Sequence, residues 1–179
     1  PEMHELAARL GSDVPFSLLG GTAVGTGRGE QLAPVPVRDT FHWVLAVDDA
    51  GLSTPAVYAE LDRQRAEMVA DRMSVVSHLE VPDDLIRGLR EGDVATLGRA
   101  MANDLQPAAV GLRPGLFEVL RLRVTVMGAG AVVSGSGPTC VFLAHGEAHA
   151  RTMGRALTAA GCRVLHATGP VPGARVVPR

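Results

Sequence analysis

The course of the chain depends on residues 11–30, which read GSDVPFSLLGGTAVGTGRGE. Asp13 lies between Gly11 and Pro15, two residues from each, so we expect the backbone to leave a helix there and continue in an extended path. Two short strands are accordingly predicted at 16–19 and 21–25. Five glycines between positions 20 and 29 would let the main chain approach a ligand closely, because they carry no Cβ.

Arg28 stands between two of these glycines and offers a forked cation that suits phosphate oxygens. The carboxylate of Asp13 lies fifteen positions earlier, and the pair suggests phosphoryl-transfer chemistry. The alternative is structural: Asp13 would face solvent and Arg28 would lie on the surface of a hairpin, since glycine-rich hairpins are common.

Composition excludes several classes of protein. The chain has 179 residues and a net charge of -2, and no basic stripe marks it as a nucleic-acid binder. All 17 basic residues are arginine, which excludes a Walker phosphate loop because that loop needs a lysine. No apolar run reaches the roughly 18 residues of a membrane span. Cys140 and Cys162 lack zinc or disulfide-scaffold spacing, so a cytoplasmic protein is expected.

Hydrophobic periodicity predicts an α+β fold with a mixed sheet and helices on one face, in a ferredoxin-like arrangement. Phe41–Val47 is the first clear buried strand, and a domain boundary is predicted just before it. The predicted helices are 2–10, 56–65 with Ser53 or Thr54 as its cap, 83–90, 93–105, 112–122 and 147–160. The predicted strands are 30–37, 128–133, 140–144, 162–167 and a possible last one at 174–177, and 66–82 is expected to be a mobile loop.

Three further features could carry chemistry. The loop 134–139, SGSGPT, offers hydroxyls and main-chain N–H groups that could hold an anion, or it is only a tight turn. Tyr58 lies one helical turn after Thr54, so its ring could stack on a flat ligand beside a polar group, or it is a core aromatic. His145 and His149 flank Glu147, but Gly146 stands where a zinc protease motif needs glutamate, so no metal site is predicted.

Four motifs together resemble the GHMP kinase superfamily, which includes galactokinase and the homoserine, mevalonate and phosphomevalonate kinases. They occur in the family's order and read LGSDVPF at 10–16, GGTAVGTGRGE at 20–30, VSGSGPTC at 133–140 and ATGPVPGARVV at 167–177. The resemblance is strongest to the actinobacterial enzymes that phosphorylate the 2-hydroxyl of diphosphocytidyl-methylerythritol in the non-mevalonate route to isoprenoids. It implies a two-domain fold, with 1–40 ending the N-terminal domain and 41–179 forming the C-terminal, ferredoxin-like domain.

The resemblance also implies roles for individual residues. Asp13 matches the catalytic aspartate that accepts or orients the hydroxyl proton, and ATP with Mg²⁺ would be the phosphoryl donor. Tyr58 falls where an aromatic lies against cytosine, Thr54 near the substrate, and Arg28 where it could meet the diphosphate. The loop containing Gly135, Ser136 and Gly137 would lie beside the active site.

The departures from the family pattern concern ATP. The family's GLGGGSS-type ATP loop, an early lysine and a cytosine-reading histidine are absent from this sequence and would lie before Pro1. We therefore expect the chain to be the C-terminal part of a kinase, inactive alone, and to act as a monomer or weak homodimer. The alternatives are another GHMP-type kinase, for homoserine or a mevalonate derivative, and a non-catalytic ferredoxin-like binding module in which Asp13 is replaceable.

Overall fold

The computed structural model describes residues 2–70 and 80–176. Two helices and a hairpin come first: α1 (Glu2–Leu10), α2 (Val14–Leu19), β1 (Ala23–Thr26) and β2 (Gln31–Pro34). The remaining elements are β3 (Phe41–Val47), α3 (Thr54–Ala70), α4 (Asp83–Glu91), α5 (Val94–Ala100), α6 (Gln106–Leu112), α7 (Gly115–Thr125), β4 (Gly130–Val133), β5 (Cys140–Ala144), α8 (Glu147–Ala159) and β6 (Arg163–Gly169). None of the described helices is long and apolar enough to cross a membrane.

The four strands β3 to β6 form one antiparallel sheet in the order β4-β5-β3-β6. From β3 to β6 the elements follow in the order strand, helices, strand, strand, helix, strand. The first of these strands, β3, pairs with the third and the fourth, β5 and β6. That is the ferredoxin-like topology, so the predicted α+β fold class is confirmed. The prediction of a mixed sheet is wrong, because all its strand pairs are antiparallel. The strands β1 and β2 pair only with each other in a separate antiparallel hairpin.

Both faces of the sheet contribute to the core. Phe142 and Leu143 are neighbours in β5, and each is fully buried, although their side chains point to opposite faces. Phe142 belongs to the larger cluster, which includes Leu157 of α8, whereas Leu143 packs in a second cluster with Leu97 of α5. The expectation that helices cover one face only is therefore wrong for α5.

The predicted strand at 16–19 is also wrong, because Val14–Leu19 is helix α2. Pro15 lies in the first turn of this helix, where its missing N–H has no helical partner to lose. The amide of Ser17 donates to the carbonyl oxygen of Asp13 at 3.3 Å, which closes that turn. The proline after Asp13 therefore starts a helix instead of committing the chain to an extended path.

The predicted helix 93–105 is shorter than expected, because α5 ends at Ala100 and residues 101–105 form an irregular connection. The next helix, α6, begins at Gln106, outside the predicted range. Its start is as expected, because the Asp93 carboxylate accepts hydrogen bonds from the amides of Ala95 and Thr96. Hydrogen bonds from Thr96 and from these amides lower the pKa of Asp93. The helix stops at Ala100, because Met101 has an extended backbone. In the connection that follows, Oδ1 of Asn103 accepts from the Leu105 amide at 2.9 Å.

Other boundaries move by a few residues. Helix α3 continues to Ala70, so the first part of the predicted loop 66–82 is helical, and residues 71–79 of it lie outside the described residues. The helix predicted at 112–122 is α7, which begins after Pro114. Residues 174–176 form no strand, and position 177 of that predicted strand is outside the described residues.

Residues that follow β6 return to the end of α2. The amide of Gly21 donates to the carbonyl oxygen of Val171 at 2.7 Å, and the amide of Ala174 donates to that of Ser17 at 3.2 Å. Between these bonds the backbones of Gly20 and Gly173 are in direct contact, and a Cβ on Gly173 would overlap main-chain atoms of residues 18–20. Glycine at 173 is therefore required by space, and this contact joins α2 to the four-stranded sheet.

We expect Gly173→Ala to lower the free energy of unfolding by about 1–3 kcal/mol, the usual cost of forcing an added methyl group into a packed site. The matched control is Gly115→Ala, because a Cβ on Gly115 meets no atom within 4 Å. The control should change stability by less than about 1 kcal/mol. Urea unfolding of the two variants and the wild type measures both changes. If Gly173→Ala were as stable as Gly115→Ala, the close packing of Gly173 against Gly20 would be contradicted.

Candidate active site

Thr54 and Ser136, 82 positions apart in sequence, meet at the start of α3. The oxygen Oγ1 of Thr54 lies 2.7 Å from Oγ of Ser136, within hydrogen-bond distance. The carbonyl of Ser53 accepts from the Val57 amide at 3.0 Å, which places Thr54 in the first helical turn. Two residues predicted to bind substrate from different motifs are therefore in contact.

The loop that carries Ser136 is a tight turn between β4 and β5. The amide of Ser134 donates to the carbonyl oxygen of Thr139, and that of Gly137 to Ser134, each at 2.8 Å. Gly135 and Gly137 have φ angles of 55° and 80°, in the left-handed region that favours glycine. A Cβ on Gly137 would also lie 2.9 Å from Cγ1 of Val133. The glycines of this loop thus serve its backbone conformation.

Two residues that the sequence analysis missed hold this loop. Asn103 donates through Nδ2 to the carbonyl oxygens of Val133 at 2.7 Å and Gly135 at 2.8 Å. Gln106 accepts through Oε1 from the Val133 amide at 2.9 Å. The available signal was an asparagine inside a predicted helix, because asparagine disfavours helix interiors and hydrogen-bonds nearby backbone.

Tyr58 lies on the same face of α3 as Thr54, one turn later. Its side chain is 53% exposed, whereas the adjacent Val57 is fully buried. The alternative interpretation of Tyr58 as a core aromatic is therefore wrong. Its ring is accessible to a flat ligand that would also reach the hydroxyls of Thr54 and Ser136.

Asp13 lies immediately before α2 and is exposed. Its main-chain carbonyl accepts the hydrogen bond from Ser17, but its side chain makes no capping hydrogen bond to the helix. Within residues 2–70 and 80–176, the carboxylate forms no ion pair. The carboxylate is therefore exposed to solvent and has no ion-pair partner among the described residues.

Arg28 occupies the turn between β1 and β2. Its amide donates to Oε2 of Glu30 at 2.8 Å, and hydrogen bonds from the main-chain amides of Glu30 and Arg28 lower the pKa of the Glu30 carboxyl. The turn lies beside the connection between α1 and α2, because a Cβ on Gly29 would be 3.9 Å from Cβ of Ser12. The Arg28 guanidinium forms no ion pair with a carboxylate of the described part of the chain.

The structure thus shows two groups of predicted site residues. Thr54, Tyr58 and Ser136 form the first group, and Asp13 with the Arg28 turn forms the second. In the part of the chain that the structure describes, no side-chain hydrogen bond or ion pair joins them. Their convergence on one substrate stays a prediction.

The histidine pair is structural. The ring nitrogen Nδ1 of His149 accepts from the His145 amide at 3.1 Å, so that nitrogen carries no proton. The other nitrogen, Nε2, then donates to the carbonyl oxygen of Val126 at 2.9 Å. Both ring nitrogens of His149 are occupied by main-chain partners, which explains the pairing without a metal ion.

The chain is similar to known kinases over most of its length. The family model described as "GHMP kinases C terminal" matches residues 85–162. A 4-diphosphocytidyl-2-C-methyl-D-erythritol kinase from Rhodococcus jostii (strain RHA1) is 52% identical over 178 residues, covering 98% of this chain and 55% of that protein. Its counterpart from Thermobifida fusca (strain YX) is 53% identical over 175 residues, covering 97% and 54%. The chain spans about half the length of the curated relatives it matches.

Solved structures agree with this assignment. A crystal structure of 4-(cytidine 5'-diphospho)-2C-methyl-D-erythritol kinase superimposes with a TM-score of 0.74 at 29% identity, covering 93% of this chain and 56% of that one. A homoserine kinase from Cytophaga hutchinsonii has a TM-score of 0.62 at 19% identity, covering 89% and 51%, which shows a shared fold alone. Residues 85–162 therefore match the C-terminal domain of the GHMP kinases, in agreement with the topology of the sheet and with these relatives.

Proposed function

We propose that this chain forms the acceptor-substrate side of a small-molecule kinase that phosphorylates the 2-hydroxyl of 4-diphosphocytidyl-2-C-methyl-D-erythritol. The observation that carries the proposal is the hydrogen bond between Thr54 and Ser136 beside the exposed ring of Tyr58. Relatives at 52% and 53% identity bear the name of that kinase. We place the enzyme in the cytoplasm as a monomer or weak homodimer.

Asp13 is proposed to accept or orient the proton of the attacking hydroxyl. Phosphoryl transfer asks the protein mainly for positioning and charge stabilisation, and a carboxylate within reach of the nucleophile supplies the proton acceptor. The exposure of Asp13 and its lack of an ion pair in the described residues support this role. A carboxylate already engaged by a guanidinium would be a weaker base.

The remaining residues are proposed to bind the cytidine diphosphate portion. The ring of Tyr58 would stack on cytosine, and the hydroxyl of Thr54 would contact the substrate one helical turn away. The guanidinium of Arg28 would pair with diphosphate oxygens. Gly135, Ser136 and Gly137 would form the wall of the site next to α3. The Gly137 amide is bonded to Ser134, so the N–H groups of Gly135 and Ser136 are the ones proposed to meet an anion.

The phosphoryl donor is proposed to be ATP with Mg²⁺. Among residues 2–70 and 80–176, no three His, Cys, Asp or Glu side chains cluster to hold a metal ion. The described residues therefore do not make a magnesium site on their own, and the roles above concern the acceptor only. We further propose that 1–40 completes an ATP-binding domain and that 41–179 is the second domain, which the separate pairing of β1 with β2 supports.

A coupled ADP-release assay on the full-length protein tests the proposal. We expect ADP release with 4-diphosphocytidyl-2-C-methyl-D-erythritol and none above background with homoserine or mevalonate. Release with homoserine or mevalonate alone would assign another GHMP-type kinase. No release with any of the three, together with retained binding of the cytidine compound, would favour a non-catalytic binding module.

The substitution Asp13→Asn should lower kcat about 100-fold or more and leave the KM of the acceptor nearly unchanged, because it removes the proton acceptor and keeps the shape. The same assay at saturating acceptor measures kcat. The control is Glu118→Gln, since Glu118 is an exposed residue of α7 paired only with Arg121. A normal kcat in the Asp13 variant would rule out the catalytic role.

The substitution Tyr58→Ala should weaken acceptor binding by about 1–3 kcal/mol, the usual effect of losing one base-stacking contact. Tyr58→Phe keeps the ring and is the matched control, so its binding should stay near that of the wild type. Isothermal titration with the acceptor compares the three proteins. If Tyr58→Ala binds as tightly as Tyr58→Phe, the stacking role is wrong.

A further inference from the structure

The connection between α5 and α6 lies along the outer edge of β4. Strand β4 is at the end of the sheet, so no strand of the described part of the chain pairs with its outer side. On that side, Asn103 hydrogen-bonds the carbonyl of Val133 and Gln106 hydrogen-bonds its amide. Two side chains therefore take the place of a neighbouring strand at the residue where β4 ends and the loop begins.

The carboxamide of Asn103 is fully used in this arrangement. Its Nδ2 donates to two carbonyl oxygens, of Val133 and Gly135, and its Oδ1 accepts from the Leu105 amide. The reverse orientation would place Oδ1 against both carbonyls and Nδ2 against an N–H, so only one orientation satisfies all three partners. Asn103 thus ties Gly135, which precedes Ser136, to the connection between the helices.

We propose that Asn103 and Gln106 are positioning residues for the acceptor site. They fix the loop 134–139 so that the Ser136 hydroxyl meets Thr54 and the loop faces the substrate beside Tyr58. This inference rests on the proposed function, because the proposed function places the acceptor substrate beside the loop. Neither side chain needs to touch that substrate, since both act through the backbone of residues 133–135.

Conservative substitutions of Asn103 and Gln106 can remove their hydrogen bonds to the loop while keeping the size of the side chains. Asn103→Asp keeps the size and the acceptor for Leu105, but it places a carboxylate oxygen against the carbonyls of Val133 and Gly135. Gln106→Glu keeps an acceptor for the Val133 amide, whereas Gln106→Met keeps the length and removes it. The control is Gln64→Ala, which deletes a side-chain amide whose hydrogen bond is made to Glu60 on α3.

The experiment uses the full-length protein and three readouts: KM and kcat for 4-diphosphocytidyl-2-C-methyl-D-erythritol, the ¹H–¹⁵N amide resonances of Gly135 and Gly137, and the thermal midpoint. For Asn103→Asp we expect KM to rise about tenfold or more, as small displacements of positioning groups do, with kcat changed less. The two amide resonances should move. Gln106→Met should show the same changes in KM and in the resonances as Asn103→Asp. Gln106→Glu should stay closer to the wild type, and Gln64→Ala should match the wild type.

Unmoved Gly135 and Gly137 resonances in Asn103→Asp would overturn the inference, whatever the kinetics. The inference would also be overturned if KM stayed normal while the resonances moved. The same holds if, in all variants, the rise in KM were merely proportional to the fall in the thermal midpoint. A wild-type protein without activity on this substrate would refute the proposed function instead. In that case the amide resonances and their recovery in Gln106→Glu still decide whether the two residues position the loop.

Discussion

The pairing register of β3 is the constraint on which the site depends. Ala46, near the end of β3, pairs with Cys140, the first residue of β5. The chain leaves β3 after Val47 and soon enters α3, while the loop 134–139 leads directly into Cys140. The start of α3 and the loop therefore lie at the same end of the strands. The contact between Thr54 and Ser136 follows from that register. A slip of one residue would turn the buried side chains of β3 to the other face, so the core protects this geometry.

Local patterns were sufficient for most of the fold. The apolar run Phe41–Val47, the capping aspartate at 93 and the turn signals around 134–139 predicted elements that the structure contains. Two predictions were wrong at positions where the residue is compatible with more than one local structure. Pro15 can begin a helix as well as exclude one. The helix predicted through Asn103 ends at Ala100, and the Asn103 side chain bonds the backbone of the connection.

The candidate site was predictable only in part. Residue types suggested Thr54, Tyr58 and Ser136, but no local signal shows that residues 82 positions apart are in contact. The hydrogen bonds of Asn103 and Gln106 to Val133 depend equally on the tertiary fold. Glycines were also ambiguous: Gly20 was expected to admit a ligand, whereas its space is filled by the backbone of Gly173.

A crystal structure of the full-length protein with cytidine 5'-diphosphate would test the central claim most directly, because it reports where the acceptor-like ligand lies. The account predicts that the pyrimidine packs within about 4 Å of the Tyr58 ring, the distance of van der Waals contact. It also predicts that Ser136 and Thr54 keep their hydrogen-bond distance beside the ligand. A ligand bound elsewhere, with Tyr58 still in solvent, would contradict the account.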